Sequence, residues 1–180
     1  MSNILLLNTQ KDLYGGLSGN AFSNTIKLCF SKATSFSLIQ RNVLPTYPCF
    51  IAKKLSLEVL KVYRVNQWFA WTGGEYDEIL YKATPQTMEV ILRYFDDIFM
   101  HNRKKIPKSN HEQTGEHFLY PSYLEDLCFF VGKRMFFGTL SHEYICAAKP
   151  IDAMFEKSLR GLASWDNSSY DCYGMDRQYI

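Results

Sequence analysis

The side chains best suited to nucleophilic, acid–base or metal chemistry on this chain are its four histidines and five cysteines, and their spacing decides what they can do. His111, Glu112, Glu116 and His117 gather in one short stretch, and imidazole with carboxylate is a competent zinc or manganese set. The spacing is that of a loop, not the one-face i, i+4 pair of a helical zinc site, and mobile ligands bind poorly without a rigid surround. A solvated loop is the reading. His142-Glu143 is an acid/base pair in type, but adjacent residues on a strand point to opposite faces, which favours a turn histidine. Cys29, Cys128 and Cys146 lie inside apolar runs and read as small buried hydrophobes, while Cys172 sits in a polar tail. With no CxxC pair and no neighbouring base, neither a disulfide framework nor a thiolate nucleophile is expected.

The one glycine-rich loop is Tyr14–Asn20, YGGLSGN. It lacks the Lys-Ser/Thr of a P-loop, the spacing of a dinucleotide fingerprint, and the glycine that a nucleophile elbow would need where Asn20 stands. It reads as a flexible turn between two strands. One enzymatic reading survives as an alternative: a small enzyme acting on a nucleotide or phosphate compound, with Gly15–Gly19 as cradle and the His111/His117 loop as lid.

The whole chain restricts the choice further. It has 180 residues, 47% of them hydrophobic and 16% aromatic, with a net charge of +2. That composition suits one globular domain spanning 1–180 and excludes dominant disorder, and the near-neutral charge makes nucleic acid an unlikely partner. No apolar run approaches the ~20 residues of a membrane helix, and the opening MSNILLLNTQKD has no secretory pattern, so a cytoplasmic protein away from membranes is expected. No cofactor is implied.

The elements follow from periodicity. Thr84 caps and Pro85 opens a helix to His101, with Met88, Ile91, Leu92, Phe95, Ile98 and Phe99 on one face. Strands are expected at Ile4–Asn8, at Thr25–Phe30 (TIKLCF), at SFSLIQRN, at Leu57–Val65, at Trp68–Trp71 and at Glu78–Ala83, with Gly73-Gly74 as a turn. Leu127–Val131, a Gly132-Lys133 turn, Met135–Leu140 and Glu143–Ala148 follow, and Pro150 opens a second helix with Ile151, Met154, Phe155, Leu159 and Leu162 inward. The sum is an α+β fold, a largely antiparallel sheet with two main amphipathic helices. Glu78–Pro85 matches Glu143–Pro150 at a constant offset of 65, sharing Glu, Ala and Pro. Units at about 57–103 and 122–165, joined by a loop at 104–121 and followed by an irregular tail at 166–180, are therefore either copies of one strand-strand-strand-helix unit or two instances of a common join.

Charge and aromatic placement point to a protein partner. The basic run His101–Lys108 follows a helix end, where cations are expected, and Glu75, Asp77 and Glu78 form an acidic group that opposes it. Tyr120, Tyr123, Trp165, Tyr170, Tyr173 and Tyr179 fall in segments read as loop or tail, and tyrosine and tryptophan are enriched at interfaces. Contacts are expected around Trp68, Trp71, Glu75, Asp77, Tyr120 and Tyr123. In size, mixed patterning, free cysteines and the strand–Pro–helix unit FGTLSHEYICAAKPIDAMFEKSLRGL, the chain resembles the small immunity proteins of bacterial toxin–immunity pairs. That resemblance implies a non-enzymatic inhibitor whose partner is a cognate toxin domain. It departs in charge, since immunity proteins against nucleic-acid-cleaving toxins are often acidic.

Overall fold

Eight strands form one continuous sheet, with β1 (Ile4–Leu7), β2 (Ser35–Gln40), β3 (Val59–Trp68), β4 (Trp71–Lys82), β5 (Leu124–Val131), β6 (Arg134–Leu140), β7 (Ile145–Ala148) and β8 (Trp165–Ser168) in the order β3-β4-β2-β5-β6-β7-β1-β8. This computed structural model describes residues 4–9, 17–40, 50–68, 71–99, 124–169 and 175, and of 66–68 and 71–75 the backbone alone. Every neighbouring pair is antiparallel. The α+β expectation is met. Among the described residues four helices accompany the sheet: α1 (Gly19–Phe30), α2 (Phe50–Leu55), α3 (Pro85–Tyr94) and α4 (Ala153–Leu162). None of them is long and apolar enough to cross a membrane.

The strand order repeats itself. In β3-β4-β2-β5 the segment carrying α3 leaves β4 and returns as β5, running in the same direction with β2 between them. In β6-β7-β1-β8, α4 joins β7 to β8 in the same way around β1.

Side chains alternate across the pleat, and both faces are buried. On one face Leu5, Phe36, Leu38, Ile79, Tyr81, Phe129 and Phe136 pack against all four helices through Phe22, Ile26, Ile51, Leu55, Ile91, Phe155 and Leu159. Phe129 stands at the centre, with Phe30, Phe36, Phe136 and Phe137 at ring-centroid distances of 5.1, 6.1, 6.3 and 6.0 Å. On the other face Ile4, Ile39, Cys128, Phe130, Met135, Leu140 and Ala147 form a smaller cluster with Met175. Cys29, Cys128 and Cys146 are buried, as their apolar surroundings in sequence indicate.

Several local expectations are corrected. Thr25–Phe30 is not a strand but the last half of α1, whose buried Phe22, Thr25, Ile26 and Cys29 follow the three-four spacing. Ser18 and Gly19 of the glycine-rich loop therefore open a helix instead of joining two strands, and Gly19 has a φ of +57°, which its missing Cβ permits. Gly73-Gly74 lies within β4, because Trp68 pairs with Trp71 and so fixes the end of the hairpin before it. Trp68 and Trp71 thus belong to β3 and β4, not to a separate strand of their own. Helix α3 stops at Tyr94, with Phe95 already extended, although Phe95, Ile98 and Phe99 are buried as expected. Met154 is exposed, not inward, since only Phe155 and Leu159 of α4 reach the core. The tail does not begin at Asp166: Trp165–Ser168 pairs with β1, and the Trp165 indole is buried, donating from Nε1 to the Leu159 carbonyl at 2.9 Å.

The start of α3 matches its sequence reading closely. The Thr87 N–H donates to Thr84 Oγ1 at 3.2 Å, and the Thr84 N–H donates to Thr87 Oγ1 at 2.9 Å, a reciprocal cap followed by Pro85. Replacing Thr84 by alanine is expected to lower stability by about 1 kcal/mol, with serine restoring most of it. Urea denaturation of the two variants checks this, and equal midpoints for alanine and serine would show that the cap is idle.

Candidate functional site at the edge strand

A sheet edge presents unpaired backbone N–H and C=O groups, so the two ends of this sheet are the natural places to look for partner chemistry. They differ sharply. Strand β8 has four residues, whereas β3 has ten and pairs only with β4 among the described residues. The approach to β3 is a single 3-10 turn, Ser56–Glu58, that follows α2. Helix α2 is anchored by buried Ile51 and Leu55 and by Phe50, whose ring meets Tyr94 of α3 edge-on at 5.2 Å.

On this rim the apolar side chains face water. Leu57 is 96% exposed, Leu60 54%, Val62 53% and Val59 40%, and of the described large hydrophobic residues only Val131, Tyr144 and Met154 are exposed to a similar degree elsewhere. Single exposed apolar residues are ordinary, but Leu57 in the 3-10 turn and Val59, Leu60 and Val62 on the strand concentrate four within six positions. Cations accompany it along the chain. From Phe50 to Val65 the chain carries Lys53, Lys54, Lys61 and Arg64 against the single anion Glu58. Lys61 Nζ lies 4.4 Å from the centroid of the Tyr63 ring, and Arg64 Nε reaches Asp77 Oδ1 at 3.1 Å across the β3–β4 pair.

One strand inward, Glu78 presents an unusual group. It pairs in register with Tyr63 of β3 and Ile39 of β2, and it is 1% exposed. Burial pushes its carboxyl up from 4.5 to about 7, opposed by the nearby Ser37 hydroxyl, which does not form a hydrogen bond of normal geometry with it. Glu78 therefore cannot belong to an exposed acidic end, and that part of the charge-segregation expectation is corrected. Burial also raises the Cys29, Cys128 and Cys146 thiols well above their ordinary range, which keeps them unreactive.

The other expected contact residues fall as follows. Trp68 and Trp71 are register partners at the far end of the β3–β4 hairpin, and Glu75 lies within β4. Asp77, on the same strand, is held by Arg64. Tyr120 and Tyr123 lie outside the described residues, as do Gly15, His111, His117, Cys172, the basic run at 101–108 and Tyr170, Tyr173 and Tyr179. His142 lies in a 3-10 turn with Nε2 3.6 Å from Glu143 Oε1, as a turn histidine should. Among the described residues no group of three or more metal-ligating side chains converges.

No family model, curated protein or solved structure matches the chain. What can be said of its function therefore comes from its own surface. The exposed stretch Leu57–Val62 was missed by sequence reasoning, although Lys61 and Arg64 within an apolar strand are the kind of charge that edge strands carry.

Proposed function

We propose that this chain is a non-enzymatic protein-binding module, an immunity or inhibitor protein that holds and neutralises a cognate toxin, and that it docks through the β3 rim. The observation that carries this reading is the exposed apolar stretch of Leu57, Val59, Leu60 and Val62, leading onto a long strand that pairs on one side only among the described residues. An apolar centre ringed by charge is the anatomy of a specific protein interface. The toxin reading adds the resemblance in size and patterning to immunity proteins.

The test is to read the neighbouring open reading frame and, where it encodes a large secreted or toxin-like protein, to co-express the two. The wild type should relieve growth arrest and bind that protein in calorimetry. Leu60→Asp with Val62→Asp should weaken binding by about 30-fold, the equivalent of a ~2 kcal/mol hot spot. Unchanged affinity would remove β3 from the interface. Failure to protect, together with tight nucleotide binding, would overturn the proposal in favour of the enzyme built on Gly15–Gly19 and His111/His117.

A further inference from the structure

The geometry points to strand addition as the mode of docking: an extended acidic segment of the partner pairs with the edge of β3 that is unpaired among the described residues and continues the sheet by one strand. This rests on the protein-binding reading and specifies the chemistry of the segment bound. Three observations lead to it.

The first is the shape of the edge. Register shifts occur between Val59 and Lys61 and between Val65 and Gln67, and between them Lys61–Val65 pairs regularly with Leu80–Tyr76 of β4. Bulges interrupt a ladder, so this stretch is the part of the edge able to template another strand, over roughly 17 Å at the usual rise. The second is its side-chain order. Lys61, Tyr63 and Val65 share one face and Val62 and Arg64 the other, so an incoming strand meets a cation on each face with apolar groups between them.

The third is charge, which also decides between possible occupants. Two copies paired edge to edge would bring the Lys61 and Arg64 of both chains into one seam, and like charges gathered there repel. With Lys53 and Lys54 exposed beside the edge, and Glu58 the one anion from Phe50 to Val65, self-association gathers cations further. An acidic strand reverses every one of these terms. Glutamates three residues apart, with valines between them, match Lys61 and Arg64 in either strand direction. Main-chain pairing supplies the affinity and the alternate side chains the selectivity.

The test uses the full chain and a synthetic peptide, acetyl-Thr-Glu-Val-Val-Glu-Val-Thr-amide, at millimolar concentration, read by amide hydrogen exchange. Amides within Val59–Val65 should slow by about tenfold or more, the factor that ~1.4 kcal/mol of added pairing gives, while those of β8 do not. The same peptide with lysine for both glutamates should lose this protection. Lys61→Glu should narrow or reverse the preference between the two peptides, without touching the Arg64–Asp77 pair. Three results each overturn strand addition by an acidic segment: no slowing at Val59–Val65, equal protection by the lysine peptide, or concentration-dependent dimerisation through β3 with no peptide effect. The peptide assay needs no cognate partner. Its failure alongside successful toxin protection would discard strand addition and leave the binding module standing, whereas failure of protection alone discards the toxin.

Discussion

We expect Phe129→Ala to lower the unfolding free energy by about 3–5 kcal/mol, a large share of the ~5–15 kcal/mol available to a domain of this kind. Phe129 is fully buried on the helix-facing side of β5, and its ring meets four other aromatic rings. Deleting it removes the transfer energy of a whole ring and leaves a cavity whose walls come from α1, β2 and β6 and cannot collapse together. Phe30 belongs to α1, Phe36 to β2, and Phe136 and Phe137 to β6, so the loss is felt in the helix layer and the sheet together. Urea denaturation followed by circular dichroism should show a midpoint shifted far to lower denaturant with little change in slope. A loss below about 1 kcal/mol would mean that Phe129 does not occupy this centre.

Glu78→Gln should act in the opposite direction, with a gain that grows from about pH 4.5 and levels off above about 7. The Glu78 carboxyl titrates near 7 in the folded chain and at 4.5 when freely solvated, because burial disfavours its charge. Between these values the folded state keeps a proton that the unfolded state has lost. The contribution of Glu78 is therefore fully present below pH 4.5 and is lost as pH rises through 7, amounting to ~3 kcal/mol at 1.36 kcal/mol per pH unit. Glutamine mimics the neutral acid. The variant should match the wild type near pH 4.5 and exceed its stability by up to ~3 kcal/mol at pH 8. Other carboxylates titrate in both proteins, among them Asp97, raised chiefly by burial, and Asp152, lowered first by the Phe155 N–H, so they cancel in the difference. Paired urea titrations at several pH values provide the measurement. Parallel stability profiles would show that Glu78 is not charged in a buried setting.

The elements that could be read from sequence are those whose signal is local. Thr84, Pro85 and the following apolar spacing set the start of α3, and the apolar runs of β2, β5 and β6 stand out between turn residues. TIKLCF misleads because six residues satisfy alternation as well as helical spacing, and only extension back to Phe22 separates the two periods. Strand β8 is illegible for a different reason. Only Trp165 of its four residues is buried, and its pairing partner β1 lies at the opposite end of the chain. The candidate site shares that difficulty. Leu57–Val65 is legible as strand, but whether it stands at the rim or in the middle depends on the order of all eight strands, which no local window contains. Glu78 looks like a surface acid beside Gly73-Gly74 until the register places it opposite Ile39.

The position of β1 has a consequence for the birth of the protein. It is made before the other seven described strands, yet it is inserted between β7 and β8, pairing Leu5 with Ala148 on one side and Leu7 with Trp165 on the other. At a synthesis rate of ~5–20 residues per second, that strand waits for seconds before either neighbour exists. Contacts so distant along the chain make for slow closure. The β3–β4 hairpin and α3 are complete in sequence long before this, so the β3 rim leaves the ribosome ahead of β7 and β8, and the sheet that steadies it is closed only when β1 pairs with those two late strands.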